Sequence, residues 1–293
     1  MIFLELALNA IATGVLLGSL YALLSLGLAI TFGMLHIPNI AHPALVIGGA
    51  YAVWFLNESG WDPLLAGLVG GAVFYLLGLL FYEFYLRVFE SRGGGSTLQS
   101  LTLFFGVSLV VEIGLLLGFG ADLRSVSVPY VGRSLTLGLV TLPYRLLVPA
   151  ALGPVLVLLL WIYFRRTPSG LAIRAVAHDE RALSIVGIDP TWIKRHALGM
   201  ATALAILAGA ALIITAPVDP FAGRLQVGRV FAVVALAGMG AIPGTLVAAL
   251  LVGVTESVVT SFINPSWAPG VAFAILLGTL AFKPTGLFGG ARR

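Results

Sequence analysis

Residues 170–195 read GLAIRAVAHDERALSIVGIDPTWIKR, the longest stretch of the chain that has the character of a water-soluble protein. The 293-residue chain has 16 basic and 12 acidic residues, and nine of these fall between Arg165 and Arg195. Apolar runs long enough to cross a bilayer lie on both sides of the stretch. We therefore predict that residues 165–195 form a polar loop that faces water between two membrane helices.

The composition is that of an integral membrane protein. Hydrophobic residues make up 59% of the chain and charged residues 10%, against about 25% charged residues in soluble domains. The apolar segments are 8–30, 43–57, 63–86, 97–120, 144–164, 196–217, 229–239, 244–262 and 268–282. They lack the alternation of a membrane β-barrel, and 43–57 and 229–239 are too short to span, as broken helices are. We predict one all-α domain, residues 1–293, with eight or nine transmembrane or half-membrane helices.

The Lys and Arg residues predict the orientation through the positive-inside rule. With 165–195 in the cytoplasm, eleven of them lie inside and five outside, with the N-terminus outside and the C-terminus inside. The five outer residues are Arg124, Arg133, Arg145, Arg224 and Arg229. The external loop 121–143 contains an alternating stretch, 125–142, that predicts a β-hairpin. This hairpin is either an ordinary loop or a lid or docking surface for an external partner.

Motifs for catalysis or metal binding are missing from the sequence. The four His residues do not have metal-ligand spacing, and the chain has no cysteine. It also has no G-x-S-x-G turn and no P-loop. We therefore predict a protein that is not an enzyme and has no metal site.

The loop 165–195 carries helix signals of its own. One face has apolar residues and another has basic residues and a histidine: Ile173, Val176 and Leu183 against Arg174, His178 and Arg181. Gly187 is placed as a C′ glycine, and Asp189 followed by Pro190 starts the next helix. We predict one amphipathic coupling helix, Leu171–Val186, that docks on a soluble partner. A helix resting on lipid headgroups is the alternative.

These residues resemble the coupling loop of permeases from branched-chain amino acid ABC importers, with its G-x-x-x-R-A-x-A-x-D pattern. The stretch GVLLGSLYALLSLGLAITFGMLHIPNIAHPALVIGGAY is similar to the family's first two membrane segments, and AGMGAIPGTLVAALLVGVTES and FKPTGLFG resemble its C-terminal third. The smaller of the two paired permeases is the nearest type. The resemblance implies a multi-pass, non-catalytic subunit of the inner membrane. A carrier or channel that works alone is the alternative.

The resemblance also implies partners and a solute. The partners are a second permease (a copy or a different chain), two cytoplasmic ATPases and an external solute-binding protein. The chain itself binds no cofactor, and ATP–Mg resides in the ATPases. The solute is a branched-chain or related amino acid; urea, amides and aromatic acids are alternatives within the family.

Matching residues give two candidate sites. The ATPase-coupling residues implied by the resemblance are Gly170, Arg174, Ala175, Ala177, Asp179, Ala182, Gly187 and Ile188. The candidates for the translocation pathway are Asn39, His42, Thr102, Ser108, Glu112, Gly240, Pro243, Gly244 and Glu256. His42 either bonds a backbone carbonyl freed at a helix break or lines an inner gate. The two glutamates either contact solute or hold helices together, and 238–244 is either a pathway break or a close packing contact.

Overall fold

The computed structural model describes residues 2–88, 97–129 and 131–289, and these are mainly helical. Helices α1–α5 span Ile2–Thr31, His42–Glu58, Pro63–Val88, Thr97–Phe119 and Tyr144–Arg166. Helices α6–α11 span Pro168–Val176, Glu180–Ile185, Pro190–Thr215, Ala222–Ala237, Ile242–Phe262 and Ala268–Phe282. Each predicted apolar segment coincides with one of these helices. Arg92, Arg292 and Arg293, which the orientation argument placed inside, lie outside the described residues.

Within these ranges, seven helices are long and apolar enough to cross a membrane: α1, α3, α4, α5, α8, α10 and α11 with the short turn before it. The other two apolar helices, α2 and α9, have 17 and 16 residues. At 1.5 Å per residue they are shorter than the ~30 Å hydrocarbon core. The prediction of an all-α membrane protein is confirmed, with two short helices where short segments were predicted.

Two pairs of long helices pack with their backbones nearly in contact. A Cβ added at Gly14 would lie 2.6 Å from Val254 Cα, and one at Gly18 would lie 2.6 Å from Leu250 Cα. These contacts join α1 to α10 in antiparallel fashion. A Cβ at Gly78 on α3 would likewise lie 2.7 Å from Cα of Gly199 on α8. Small residues permit this approach, which gives dispersion contacts where lipid supplies no hydrophobic driving force.

Six of the helices form two three-helix units that run in opposite directions. Each unit has a long helix, a short helix and a second long helix: α1–α3 in one and α8–α10 in the other. The third helix of each unit packs on the first helix of the other, so α10 lies against α1 and α3 against α8. This exchange is the arrangement of an inverted repeat, a common plan for membrane transport proteins.

The two short helices begin beside each other. A Cβ added at Gly223, the second residue of α9, would lie 3.2 Å from the carbonyl oxygen of Pro43, the second residue of α2. The turns before them match, since His42 N donates to Asn39 O and Ala222 N to Asp219 O, both at 3.2 Å. Helix α9 starts at Ala222, which is seven residues before the apolar segment predicted to begin at residue 229.

This earlier start concerns two arginines that were predicted to lie on the outer side. Arg229 is the first residue of the apolar segment 229–239, Arg224 precedes it, and both lie in α9. An isolated arginine in lipid is costly, but the structure pairs each of them with a glutamate on a neighbouring helix. The helix therefore includes Arg224, which the apolar pattern leaves out.

One end of the molecule carries the predicted hairpin, and we call it the hairpin end. Strands β1 (Ser134–Leu137) and β2 (Val140–Pro143) pair antiparallel. Gly138 opens the two-residue turn with φ of 61°, as the first position of a type II′ turn requires. The paired strands are shorter than the predicted hairpin, 125–142. Before them, Arg124 forms an isolated β-bridge with Val218. Helix α5 leads from here to the opposite end.

The opposite end, which we call the coupling end, carries two short helices where one was predicted. Helix α6 ends at Val176 and α7 begins at Glu180, so the single helix Leu171–Val186 is wrong. The reason is Asp179, whose carboxylate accepts a hydrogen bond from Ala182 N at 3.1 Å. Such a contact starts a new helix and competes with continuation of the old one.

Candidate functional site

Helix α6 is held against the end of α5 by a side-chain cap and a glycine. Thr167 Oγ1 accepts a hydrogen bond from Gly170 N at 3.0 Å and donates one to Tyr163 O at 2.8 Å. A Cβ added at Gly170 would lie 2.6 Å from Phe164 Cα. Gly170, a predicted coupling residue, thus allows α6 to pack directly on the membrane helix α5.

Helix α7 ends with the glycine stop expected from the sequence. Gly187 has φ of 81°. Its N–H donates to Ser184 O at 3.2 Å, and Ile188 N–H donates to Leu183 O at 3.1 Å. These two bonds define a Schellman motif, in which the residue in the left-handed region is usually glycine. The chain leaves α7 in one fixed direction, towards α8.

Helix α8 begins with the predicted cap and is tied to α7. The Asp189 carboxylate accepts a hydrogen bond from Thr191 N at 2.9 Å, and Pro190 is the first helical residue. An ion pair joins Lys194 on α8 to Glu180 on α7. The predicted connection of the coupling segment to α8 is therefore present.

A second ion pair extends this connection to α3. Arg195 Nη2 lies 2.5 Å from Glu83 Oε2, and the other oxygen of Glu83 accepts from Arg87 Nε at 3.0 Å. The first contact joins α8 to α3 across the coupling end. Sequence spacing does not reveal this contact, since the partners are 112 residues apart.

The two short helices enclose an apolar groove at the coupling end. Its volume is about 400 Å³, and its lining residues are Pro168, Leu171, Ala172, Ala175, Ala182, Leu183, Val186 and Ile188. Ile185 and Val186 beside it are 85% and 71% exposed. Three predicted coupling residues, Ala175, Ala182 and Ile188, therefore line one surface.

The remaining coupling candidates lie around this groove. Arg174 is exposed on α6, and Ala177 is the C-cap residue of that helix. Asp179 is exposed and caps α7. The apolar face predicted for this segment, Ile173, Val176 and Leu183, is buried against the rest of the chain.

Glu112 on α4 is paired with Arg224 on α9. Nε and Nη2 of Arg224 lie 3.0 and 2.7 Å from Glu112 Oε2, and the carboxylate is nearly buried. Ser108 is buried on the same side of α4, as its four-residue spacing predicted. Thr102 is exposed and bonds back to Leu98 O, so the structure does not bring it to this group.

Glu256 on α10 lies in a second buried cluster. Arg229 Nε donates to Glu256 Oε1 at 2.8 Å, and the Tyr21 hydroxyl donates to Oε2. Both glutamates are thus neutralised from α9. Sequence patterns alone do not predict that Arg224, Arg229 and Tyr21 pair with these glutamates. A carboxylate within an apolar segment needs a cation, and Arg229 begins the short segment 229–239 while Arg224 lies just before it.

Asn39 and His42 lie at the turn that starts α2. Both are about 1% exposed. His42 Nε2 lies 3.0 Å from Leu24 O, so the ring bonds a backbone carbonyl, which was one of the two predicted roles of His42. The prediction expected a carbonyl at a helix break, whereas Leu24 lies within the continuous helix α1. Nδ1 of His42 and Oδ1 of Asn39 have no hydrogen-bond partner among the described residues.

The glycine-rich break lies between α9 and α10, at the coupling end. Gly238 and Gly240 have φ of 92° and 78°, and Pro243 is in the first turn of α10. Leu287 N donates to Leu236 O at 2.7 Å and Phe288 N to Ala237 O at 3.0 Å. A Cβ at Gly244 would lie 2.8 Å from the Phe288 ring. The segment after α11 therefore binds the freed carbonyls, which favours the close-packing alternative for 238–244.

Helix α9 pairs with two of the predicted pathway residues. Arg224 binds Glu112 on α4, and Arg229 binds Glu256 on α10. The start of α9 lies beside the start of α2, and its end leads into Gly238–Gly240. This short helix therefore links the two buried glutamates to the glycine-rich break.

Comparison with known proteins agrees with this architecture. The family model described as "Branched-chain amino acid transport system / permease component" matches residues 10–280. The chain belongs to this family. It is therefore a multi-pass membrane protein and a permease subunit of an ABC importer, in a family whose members work with ATPase and binding-protein components.

Curated relatives cover nearly the whole permease. It is 26% identical to the high-affinity branched-chain amino acid permease LivH of Escherichia coli K12, over 94% of this chain and 93% of that protein. It is 25% identical to BraD of Pseudomonas aeruginosa, over 96% and 95%. The ribose import permease RbsC of Bacillus subtilis is 29% identical over 76% of this chain and 70% of its own. No solved structure matches the permease significantly.

Proposed function

We propose that this permease moves branched-chain or related amino acids across the inner membrane as one of two permease subunits. An external solute-binding protein delivers the amino acid, and two cytoplasmic ATPases supply the energy. The names of LivH and BraD, which match this chain over almost its full length, support this class of solute over ribose. ATP–Mg binds in the ATPases, and this chain catalyses no reaction and binds no cofactor.

The observation that carries the proposal is the apolar groove between α6 and α7. Large apolar side chains such as Ile185 and Val186 stand exposed at its edge, in a segment outside the membrane helices. A contiguous exposed apolar patch with a polar rim marks a protein-binding surface. Arg174 and Asp179 are exposed charged residues of the same segment.

The same segment is rigidly joined to the membrane helices. Gly170 packs on α5, Lys194 on α8 binds Glu180, and Arg195 binds Glu83 on α3. A displacement of α6 and α7 by a closing ATPase would therefore move three membrane helices together. A carrier that works without an ATPase has no use for such an assembly.

Substitutions in the groove test the coupling. The variants Arg174→Ala and Ile185→Asp should each reduce co-purification of the ATPase and ATP-driven uptake into proteoliposomes. Leu137→Asp is the matched control, because Leu137 is 60% exposed but lies on the hairpin at the opposite end. A folded Arg174→Ala, Ile185→Asp double variant with full co-purification and full uptake would contradict coupling through this surface.

Competition defines the solute. Leucine should inhibit uptake of labelled leucine in the complete assembly with its binding protein, whereas ribose and urea should not. Equal uptake of leucine without any ATPase would instead support a stand-alone carrier.

A further inference from the structure

A cavity lies between α1, α9 and α10 on the side of the hairpin end. Its volume is about 290 Å³, near the lower limit of about 300 Å³ for typical ligand sites. Hydroxyl groups from two helices line it: Thr13 on α1 and Thr260 and Ser261 on α10. None of the three makes a side-chain hydrogen bond within the described part of the chain. A cavity lined with free hydroxyls is suited to a polar solute.

The charged cluster of Glu256 forms part of the wall of this cavity. Tyr21, Arg229 and Glu256 all line it. The Glu256 side chain is 2% exposed and that of Arg229 is 17% exposed. The guanidinium also lies over the Tyr21 ring, 5.4 Å from its centre. The site therefore holds one fixed cation and one fixed anion, and their net charge is zero.

Arg229 has hydrogen-bonding capacity to spare. Its Nε donates to Glu256, and Nη1 lies at 3.5 Å from Gln226 Oε1. In the described ranges, Nη2 makes no hydrogen bond with the protein. A guanidinium can bind a carboxylate through two parallel N–H groups, so a solute carboxylate could take the free edge while Glu256 keeps Nε.

We propose that this cavity is a binding site for a zwitterionic α-amino acid on its way through the permease. The solute carboxylate binds Arg229, and its ammonium group binds Glu256 and the hydroxyl of Thr260. A zwitterion keeps the site neutral, whereas an anionic acid would add an unbalanced charge in a region of low dielectric. A sugar would leave both charges without a new partner. This proposal rests on the proposed function and specifies its solute class.

The absence of cysteine from the chain permits a direct test. Ser261→Cys places the only thiol of this chain in the cavity wall, and Ser134→Cys places it on the exposed strand β1 as a control. Each variant is purified with its partner permease and ATPases, without the binding protein. The rate of labelling by a charged maleimide is then measured with and without L-leucine.

Leucine should slow labelling of the Ser261→Cys thiol and leave the Ser134→Cys thiol unchanged. Competition predicts a decrease of about tenfold when leucine is at about ten times its dissociation constant. 4-Methylpentanoate lacks the ammonium group and 3-methylbutylamine lacks the carboxylate, so neither should protect at the same concentration. Protection by either one equal to that by leucine would overturn the zwitterion site.

A second substitution tests the anionic partner. Adding Glu256→Gln to Ser261→Cys should abolish protection, and Glu256→Asp should retain part of it. Asp122→Asn, which removes an exposed charge at the hairpin end, should leave protection intact. The analogue comparison does not depend on these variants, so it stands if Glu256→Gln does not fold.

Uptake by the same preparations separates this proposal from the proposed function. If ATP-driven leucine uptake is intact and leucine gives no protection at any concentration up to solubility, the cavity proposal is wrong and the function stands. If the complete assembly with its binding protein takes up no amino acid, both are wrong.

Discussion

Gly187 is the coupling residue whose backbone sets the strictest requirement. It has φ of 81°, and an added Cβ would meet nothing within 4 Å. Gly187→Ala therefore tests backbone strain alone, which costs about 1–2 kcal/mol for a residue with a side chain in the left-handed region. We expect faster hydrogen exchange across 180–189 and weaker ATPase co-purification. Gly71→Ala on α3, also with nothing within 4 Å but without positive φ, is the control and should change neither.

Gly78 is a packing glycine and predicts a different outcome. A Cβ there would lie 2.7 Å from Gly199 Cα and 2.8 Å from Leu198 O. Gly78→Val should force α3 away from α8, and overpacking typically costs about 1–3 kcal/mol. We expect a lower melting temperature of the purified permease in detergent. Gly106→Val on α4 meets open space and should leave the melting temperature nearly unchanged; an equal drop in both variants would contradict the packing argument.

At the scale of single residues, local chemistry was readable from the sequence and distant partners were not. Gly187, Asp189 and Pro190 act within a few residues of their own positions, so their turn and cap roles followed from spacing. The pairing of Arg224 could not be predicted, because its partner Glu112 is 112 residues away. A hydropathy value is assigned to each residue by itself and takes no account of an ion-pair partner on another helix.

At the scale of elements, Asp179 explains why the coupling segment forms two helices, α6 and α7. The resemblance assigned it to ATPase docking, whereas its carboxylate caps α7. Asp179→Asn separates the two roles, since asparagine caps as well as aspartate but has no charge. If capping is its role, Asp179→Asn keeps ATPase co-purification, and Asp179→Ala loses about 1 kcal/mol of helix stability and part of the binding. Loss of binding in Asp179→Asn equal to that in Asp179→Ala would show that the charge itself docks.

Helix α9 shows where element prediction from hydropathy stops. The apolar pattern located its second half, 229–239, and the small length of that segment correctly indicated a short helix. Its first turn, which includes Gly223 and Arg224, depends on contacts with α2 and α4. Tertiary contacts therefore decide the start of this helix, and the pairing of Arg224 with Glu112 follows from that start.

At the scale of the whole molecule, the two ends do different work through shared helices. Asn9 at the hairpin end donates to Leu139 O at 2.8 Å and accepts from Thr141 N at 2.9 Å, and it also lines the cavity of Glu256. The hairpin is thus attached directly to the mouth of the proposed solute site. Helix α1 continues from this contact to α2, and α10 packs along it towards the coupling end. A binding protein that moved the hairpin would therefore act on the cavity wall through α1.

The ion pair between Arg195 and Glu83 predicts how force reaches this assembly. Glu83→Arg would place like charges together and loosen α8 from α3. Both side chains are about one-third exposed, and such pairs contribute only about 0.2–1 kcal/mol to stability, so the variant should fold and keep its ATPases. We expect uptake per ATP hydrolysed to fall about fivefold or more, the lower range of allosteric coupling.

A charge reversal tests this pair directly. The double variant Glu83→Arg, Arg195→Glu restores opposite charges and should recover part of the lost uptake per ATP hydrolysed. Arg87→Ala, which leaves the α8–α3 contact in place, is the control. The same ratio of uptake to hydrolysis in all these variants would show that the pair does not transmit the movement.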